Sequence, residues 1–323
     1  MIYILIEHDL GKLSKTATQG LVPARALAQQ TNSPLAAVVI GNQATSVFGT
    51  LQKFGVQKIV HIQHDRLNEY APDAWAESLV QGIGKTNPDA VLAMGSDRGN
   101  EVLARVAAKM DSPMAANCTV IQPGDTYHVT RVRWGGSLLE EASVVGSTKL
   151  LTIAQHTFEA EEVPNAGQPE METFNPVLTD KDFRVRVVKR IPPEGGISLT
   201  DARVVVGGGR GVGSKEGFAV LEELAQLLGG AVGGSRVVTN LGWRPHTDQV
   251  GQTGSRIAPE LYIACGISGA VQHWVGCMGS KKILAINTDP EAPIVTKADY
   301  AVIGDLHEVI PALCAEIKKV KGR

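Results

Sequence analysis

Residues 249–273 read QVGQTGSRIAPELYIACGISGAVQH, and this stretch decides the fold. Leu261–Cys265 is a short apolar run bounded by Pro259 and Gly266, which predicts a strand buried on both faces. Gly266-Ile267-Ser268-Gly269 leads straight into Ala270-Val271-Gln272-His273, a first helical turn that Ser268 is placed to cap. A strand that ends in Gly-x-Ser-Gly and feeds a helix aims free backbone N–H groups at whatever lies above it. That suits an anionic ligand such as a pyrophosphate. The polar loop before the strand is positioned to close over the same ligand.

Working outward, four more apolar runs read as strands: Val204–Val206, Ala231–Gly233, Lys282–Ile286 and Tyr300–Ile303. With Leu261–Cys265 they make five. Their C-terminal ends carry Gly208-Gly209-Arg210, Ser235-Arg236, Gly266-Ile267-Ser268, Asn287-Thr288-Asp289 and Gly304-Asp305. In an open parallel sheet those ends share one edge, and ligands bind in the crevice there. Glycines let the backbone approach, Arg210 and Arg236 offer cationic forks for phosphate, and Asn287 and Asp305 suit ribose or base. One polar strand end would be a turn; five favour a nucleotide-type cofactor. The dinucleotide fingerprint GxGxxG fits Gly207–Gly213 in neither register, because Val212 or Ser214 falls where the last glycine belongs. A helix from Lys215 to Leu228, capped by Ser214, is expected to follow.

The first half alternates strands and helices. Strands are predicted at Ile2–Ile6, Leu35–Ile40, Lys58–Ile62 and Asp89–Met94, with helices over 16–30, 44–54, 74–83 and 99–110. After Asp111, short β-like runs at 120–123, 126–134, 141–145 and 149–153 read as a small antiparallel addition. Residues 158–182 lack periodicity and read as a connector, and 183–189 as an exposed edge strand. The expected organisation is α/β with two domains, 1–190 and 199–323, each a parallel sheet flanked by helices. The polar strand ends of the first half read more simply as scaffold loops than as a second nucleotide site.

A formal charge of −2 gives no electrostatic case for nucleic acid or an anionic membrane as partner. No apolar run approaches the roughly 20 residues that span a bilayer, so no membrane insertion is expected. The four cysteines, Cys118, Cys265, Cys277 and Cys314, lack metal-ligand spacing and read as reduced, mostly buried thiols. Met1–Ile6 enters a strand at once, and a cytoplasmic protein of a bacterium or archaeon is the expectation. Single residues stay open at this level. His273 reads equally as a surface residue or a ligand, and Asp305 as a ligand or the cap of a last helix over 306–319. Trp243, Trp274 and Cys265 read best as packing. No Ser-His-Asp, paired-carboxylate or metal constellation stands out, so no catalytic residue is assigned.

The runs QVGQTG at Gln249–Gly254, PELYIA at Pro259–Ala264, GISGA at Gly266–Ala270 and Gln272-His273 resemble the flavin domain of the electron-transfer flavoprotein alpha subunit family. NTDPEAP at Asn287–Pro293, Ala298–Tyr300, Asp305-Leu306, GGRG at Gly208–Gly211 and Ser235-Arg236 continue the match. The first half follows the family by layout only, and departs from its more usual sequences at 117–119 and 131–136. The resemblance implies a Rossmann-like C-terminal domain that binds FAD, and a heterodimer with a beta subunit on which the first domain packs. Arg210, Ser235, Asn287, Asp305 and Leu306 would be FAD contacts. So would the loop Gln249, Val250, Gly251, Gln252 and Thr253, and the turn Ser268, Gly269, Ala270, Val271, Gln272 and His273. Thr253 is then expected near flavin N5, His273 near the N1–C2 carbonyl edge and Arg236 close to the ring. Donors and positive charge beside N1 stabilise reduced flavin.

The implied function is an electron carrier rather than an enzyme. It would take electrons from flavin dehydrogenases, such as acyl-CoA dehydrogenases, and pass them to a quinone oxidoreductase or other acceptor. Rival readings are an electron-bifurcating subunit using NADH with a second FAD on the beta subunit, and a non-redox nucleotide-binding module. An NAD-dependent dehydrogenase is disfavoured by the missing fingerprint.

Overall fold

The computed structural model describes residues 1–189 and 197–322. The chain divides into two units, one of Met1–Trp134 and Leu138–Arg190, the other of Gly135–Ser137 and Ile191–Arg323.

The first unit begins with β1 (Ile2–Leu5), the short hairpin β2 (His8–Asp9) and β3 (Lys12–Leu13), then α1 (Lys15–Gln30) and β4 (Leu35–Ile40). Next come α2 (Phe48–Lys53), β5 (Lys58–Ile62), α3 (Pro72–Thr86), β6 (Ala90–Met94) and α4 (Asp97–Met110). The sheet is completed by β7 (Met114–Gln122), β8 (Tyr127–Arg133), β9 (Leu138–Val144), β10 (Lys149–Ile153) and β11 (Glu170–Phe174). Strand order is β11-β5-β4-β1-β6-β10-β7-β8-β9. The pleat divides β1 between two cores: Ile2 and Ile4 face Leu21 and Leu27 of α1, while Tyr3 and Leu5 face the layer holding Trp75, Leu79 and Val102. Ser96 starts α4 by accepting from the Gly99 amide at 2.9 Å, and Asp111 ends it at φ 48°.

Several expectations for this unit need correction. The addition after Asp111 is antiparallel only at β8 and β9; β10 lies inside the sheet, parallel to both β6 and β7. Its run Lys149–Ile153 is almost wholly buried, as a strand covered on both faces must be. The connector contains β11, which pairs parallel with β5. Its alternating acids hide the pattern, yet Glu172 and Glu170 pair with Lys58 at 2.7 and 3.5 Å. Residues 183–189 form no strand: Phe183 closes a 3₁₀ turn and is buried, with the Arg66 guanidinium 3.8 Å above its ring. The helix expected at 44–54 is a 3₁₀ turn over Asn42–Val47 followed by α2.

The second unit runs β12 (Val204–Gly208), α5 (Ala219–Leu228), β13 (Ala231–Gly234), α6 (Arg236–Asn240) and β14 (Leu261–Cys265). It continues through α7 (Val271–Cys277), β15 (Ile283–Asn287), α8 (Pro293–Lys297), β16 (Tyr300–Ile303) and α9 (Leu306–Lys321). All five strands are parallel, in the order β13-β12-β14-β15-β16. Chain order reverses between β12 and β14, the doubly wound 2-1-3-4-5 arrangement whose switch point opens a crevice at the strand ends. Tyr262 and Ala264 face one core, Ile263 and Cys265 the other. The helix expected from Lys215 starts later. Ser214 does accept from the Gly217 amide at 3.2 Å, but the first turn is 3₁₀ over Glu216–Phe218.

Candidate functional site

A cavity of about 740 Å³ opens at the C-terminal edge of the second sheet. That lies within the range of roughly 300–1,000 Å³ usual for small-molecule and cofactor sites. The residues after β12, β13, β14, β15 and β16 all reach it, because parallel strands deliver their loops to one edge.

Two glycine turns form its floor. The Gly209 amide donates to the Cys265 carbonyl at 2.9 Å, and the Gly211 amide to the Gly266 carbonyl at 3.0 Å. A Cβ on Gly209 would lie 2.2 Å from the Gly266 oxygen, so the turns after β12 and β14 interlock only as bare backbone. Gly269, at φ +79°, packs as tightly on Ile294, where an added Cβ would come 2.4 Å from the amide nitrogen. Ser268 does not cap α7: the capping position is Ala270, with no side-chain bond. Ser268 instead lines the cavity, and its carbonyl accepts from the Ile294 amide at 3.1 Å.

Ten of the residues expected to meet a cofactor line this cavity. Arg210, Ser235 and Arg236 stand at one flank; Ser268, Ala270, Gln272 and His273 follow β14; Asn287, Asp305 and Leu306 complete the rim. Among the described residues, neither Arg210 nor Arg236 is held in an ion pair, so both guanidinium groups remain available to an anion. The Asn287 amide spans its own turn, donating to the Ile267 carbonyl at 2.8 Å and accepting from the Asp289 amide at 3.1 Å. Asp305 caps α9 by accepting from the His307 amide at 2.9 Å, so the capping reading and the cavity-lining reading both hold.

The other seven lie beside the cavity without lining it. Gly269 is buried against Ile294, and Val271 is exposed on α7. The loop Gln249, Val250, Gly251, Gln252 and Thr253 is tied to the site through its backbone: the Gln252 amide donates to the Gln272 carbonyl at 2.7 Å. Gly251 abuts Gly276 of α7, where a Cβ would meet its amide nitrogen at 2.3 Å. Gln249 is buried, accepts from the Thr239 hydroxyl at 2.8 Å and donates to the Thr253 hydroxyl at 2.9 Å. With its oxygen occupied, the Thr253 hydroxyl keeps a proton to donate outward.

Of the two readings open for His273, the surface one does not hold. His273 is 7% exposed, and its Nε2 lies 2.8 Å from the Tyr262 hydroxyl. Burial lowers its pKa to about 4, against a weaker opposing pull from the Val250 backbone. At neutral pH the ring of the protein alone is therefore uncharged. Cys265 and Cys277 are buried thiols pushed up to about 12 by burial, inert packing groups. Trp274 and Trp243 pack against the two cores of the unit.

Val237 and His307 also line the cavity without having been singled out in the sequence, as does Ala292, which the sequence marks only as part of the run Asn287–Pro293. Val237 and His307 were reachable in principle, since each lies in the first turn of a helix that follows a strand end and such turns face the crevice. In the first unit the polar strand ends satisfy one another instead. His8 bonds the Ile40 carbonyl and the Gly11 amide, His61 bonds the Gly41 carbonyl, and Glu7 bonds Ser96. The space beside His8, Ile40 and Gly41 is about 10 Å³, enough for one water. Among the described residues no cluster of three or more His, Cys, Asp or Glu is arranged to hold a metal ion. No described helix is long and apolar enough to cross a membrane.

A family model described as the electron transfer flavoprotein FAD-binding domain matches residues 198–278, and one described as the electron transfer flavoprotein domain matches residues 2–178. The chain is similar to the electron transfer flavoprotein subunit alpha of Thermoanaerobacterium thermosaccharolyticum, at 33% identity over 99% of this chain and 98% of that protein. The subunit of the same name from Megasphaera elsdenii is 34% identical, over 99% and 97%. That of Mycobacterium leprae is 37% identical, over 99% and 98%.

Proposed function

The chain belongs to the electron transfer flavoprotein alpha-subunit family, and from that premise we propose an FAD-carrying electron shuttle between flavin dehydrogenases and a quinone oxidoreductase or other acceptor. Acyl-CoA dehydrogenases are the donors that fit the family resemblance. The observation that carries the reading is the cavity itself: five parallel strand ends, two interlocked glycine turns and two unpaired arginines on one dinucleotide-sized crevice. When bound, FAD supplies the redox chemistry, and the protein supplies binding, orientation and electrostatics.

In this reading Arg210 neutralises phosphate or ring oxygens and Arg236 stands near the ring. Ser235, Ser268 and Gln272 add hydrogen bonds, while Gly269, Ala270 and Val271 shape the backbone turn. Asn287, Asp305 and Leu306 form the nucleoside end. The loop Gln249, Val250, Gly251, Gln252 and Thr253 covers the isoalloxazine, with the Thr253 hydroxyl toward N5. His273, at the N1–C2 edge, contributes a hydrogen bond and not a resident charge, because burial keeps it neutral in the protein alone.

The partner is a beta subunit, with residues 1–190 as the docking domain and 199–323 as the flavin domain. Exposed Leu138 and Leu139 at the start of β9 favour a partner on the first unit. Four buried free cysteines fit a reducing compartment such as the cytoplasm. Co-purification with the neighbouring gene product and a count of flavin per heterodimer tests the assignment. One FAD, with no oxidation of NADH, is the expected result; two FADs with NADH oxidation would replace the simple shuttle by a bifurcating complex.

A further inference from the structure

The loop before β14 turns at Gly251–Gly254, closed by the Gly254 amide donating to the Gly251 carbonyl at 3.1 Å, so that Gln252 and Thr253 form its tip. Both tip residues are exposed, and the Gln252 amide ties the tip to the cavity rim by donating to the Gln272 carbonyl at 2.7 Å. Behind the tip, Gln249 is 2% exposed, and its side-chain amide joins two threonines. Thr239 Oγ1 lies 2.8 Å from Oε1, and Thr253 Oγ1 lies 2.9 Å from Nε2. Thr239 Oγ1 is also 3.0 Å from the Arg236 carbonyl oxygen. A threonine hydroxyl carries a single proton, so Thr239 donates to only one of these two acceptors at a time.

That choice gives the relay two complete arrangements. In the first, Thr239 donates to the Gln249 oxygen, Nε2 donates to Thr253, and the Thr253 proton points outward. In the second, Thr239 donates to the Arg236 carbonyl, the amide is turned over, and its nitrogen donates to Thr239. Its oxygen then accepts from Thr253, whose outward side is left with lone pairs only. Distances of 2.8 and 2.9 Å suit an N–H or an O–H donor equally, so neither contact opposes the turned amide. A buried amide has no water to replace a lost partner, which disfavours any mixed arrangement that strands one of its ends. We infer that Gln249 is a positioning residue, a buried two-way switch that lets the Thr253 hydroxyl act as donor or as acceptor, with Thr239 as the group that makes the reversal possible. No proton changes its heavy atom; only directions change. The inference rests on the flavin reading for its ligand and deepens it. Ring nitrogen N5 is a lone-pair acceptor in oxidised flavin and an N–H donor after two-electron reduction, its proton drawn from solvent. A reversing amide lets one threonine bond both forms while Gln249 keeps both of its own partners.

The test is infrared difference spectroscopy, oxidised minus fully reduced, on the FAD-loaded complex with its glutamines labelled with ¹³C at the side-chain carbonyl. Turning the amide exchanges the donor to Oε1, so a label-sensitive carbonyl pair should appear between the two states. It should vanish in Gln249→Glu, whose carboxylate accepts at both oxygens and has no direction to reverse. It should vanish as well in Thr239→Val, which keeps the shape but removes the far hydroxyl, and return in Thr239→Ser. A purely structural role would not follow the redox state of the flavin. Absence of the pair from the unsubstituted complex overturns the inference. So does its persistence in Gln249→Glu or Thr239→Val, or its failure to return in a folded Thr239→Ser. If Gln249→Glu does not fold, the unsubstituted complex and the Thr239 variants decide alone. An unsubstituted complex that takes up no FAD defeats the flavin reading and the inference with it, whereas FAD uptake without the pair defeats the inference alone.

Discussion

Gly211 and Gly266 meet backbone to backbone: the Gly211 amide donates to the Gly266 carbonyl at 3.0 Å, and a Cβ on either residue would come 2.8 Å from the other's Cα. Gly266 also stands at φ +60°, in the left-handed region. Gly266→Ala therefore combines backbone strain with a steric conflict that no rotamer relieves. Strain of this kind costs about 1–3 kcal/mol. Chemical denaturation should show a loss in that range, and the purified complex should retain less FAD per chain. A variant of full stability and FAD content would remove the glycine interlock from the account.

Arg210 is exposed at the cavity flank with no ion-pair partner among the described residues. A charge-assisted hydrogen bond contributes about 1.5–3 kcal/mol. Arg210→Ala should weaken FAD binding roughly 10- to 100-fold, read by flavin fluorescence titration, and reduce its dependence on salt. Unaltered affinity with an unaltered salt slope would place Arg210 outside the site.

Gly276 lies against Gly251, so Gly276→Ala sets a Cβ 2.3 Å from the Gly251 amide nitrogen and 2.4 Å from its Cα. Helix propensity favours alanine by roughly 0.5–1 kcal/mol, too little to offset that contact. The expected result is displacement of the 249–254 loop, seen as faster FAD exchange and new proteolytic cleavage near Gln252. Unchanged exchange would show that the loop does not depend on α7.

His273 links stability to pH. Its folded pKa is depressed from 6.5 to about 4, so the unfolded chain binds the extra proton in that interval. Stability is complete above pH 6.5 and is lost as pH falls toward 4, by about 3 kcal/mol at most from this group. His273→Gln should flatten that part of the profile in denaturant titrations between pH 4 and 8. A slope equal to the parent's would mean that other groups carry it.

Much of the second unit was legible because parallel strands buried on both faces are continuous apolar runs, as Leu261–Cys265 is; Tyr300–Ile303 lies where its apolar run predicts a strand, although it is the exposed edge of the sheet. The shared edge followed from the strand–helix alternation, and it brings Arg210, Arg236, Asn287 and Asp305 to one crevice. Local rules failed where tertiary contacts decide. Ser268 has the right residue type for a cap, but the turn is held by Gly269 against Ile294, and the helix begins at Val271. For His273 the sequence leaves a surface residue and a ligand equally open; a tyrosine eleven positions earlier, reaching across Gly207, makes its burial tolerable. In the first unit, β10 reads from sequence as part of an antiparallel addition because spacing along the chain does not reveal insertion between β6 and β7.

The most direct test of the central claim is the visible spectrum of the full chain purified with its neighbouring gene product and reconstituted with FAD. The account predicts a yellow complex with flavin absorbance at one FAD per heterodimer, bleached by a reductant. A complex that stays colourless after reconstitution would contradict it.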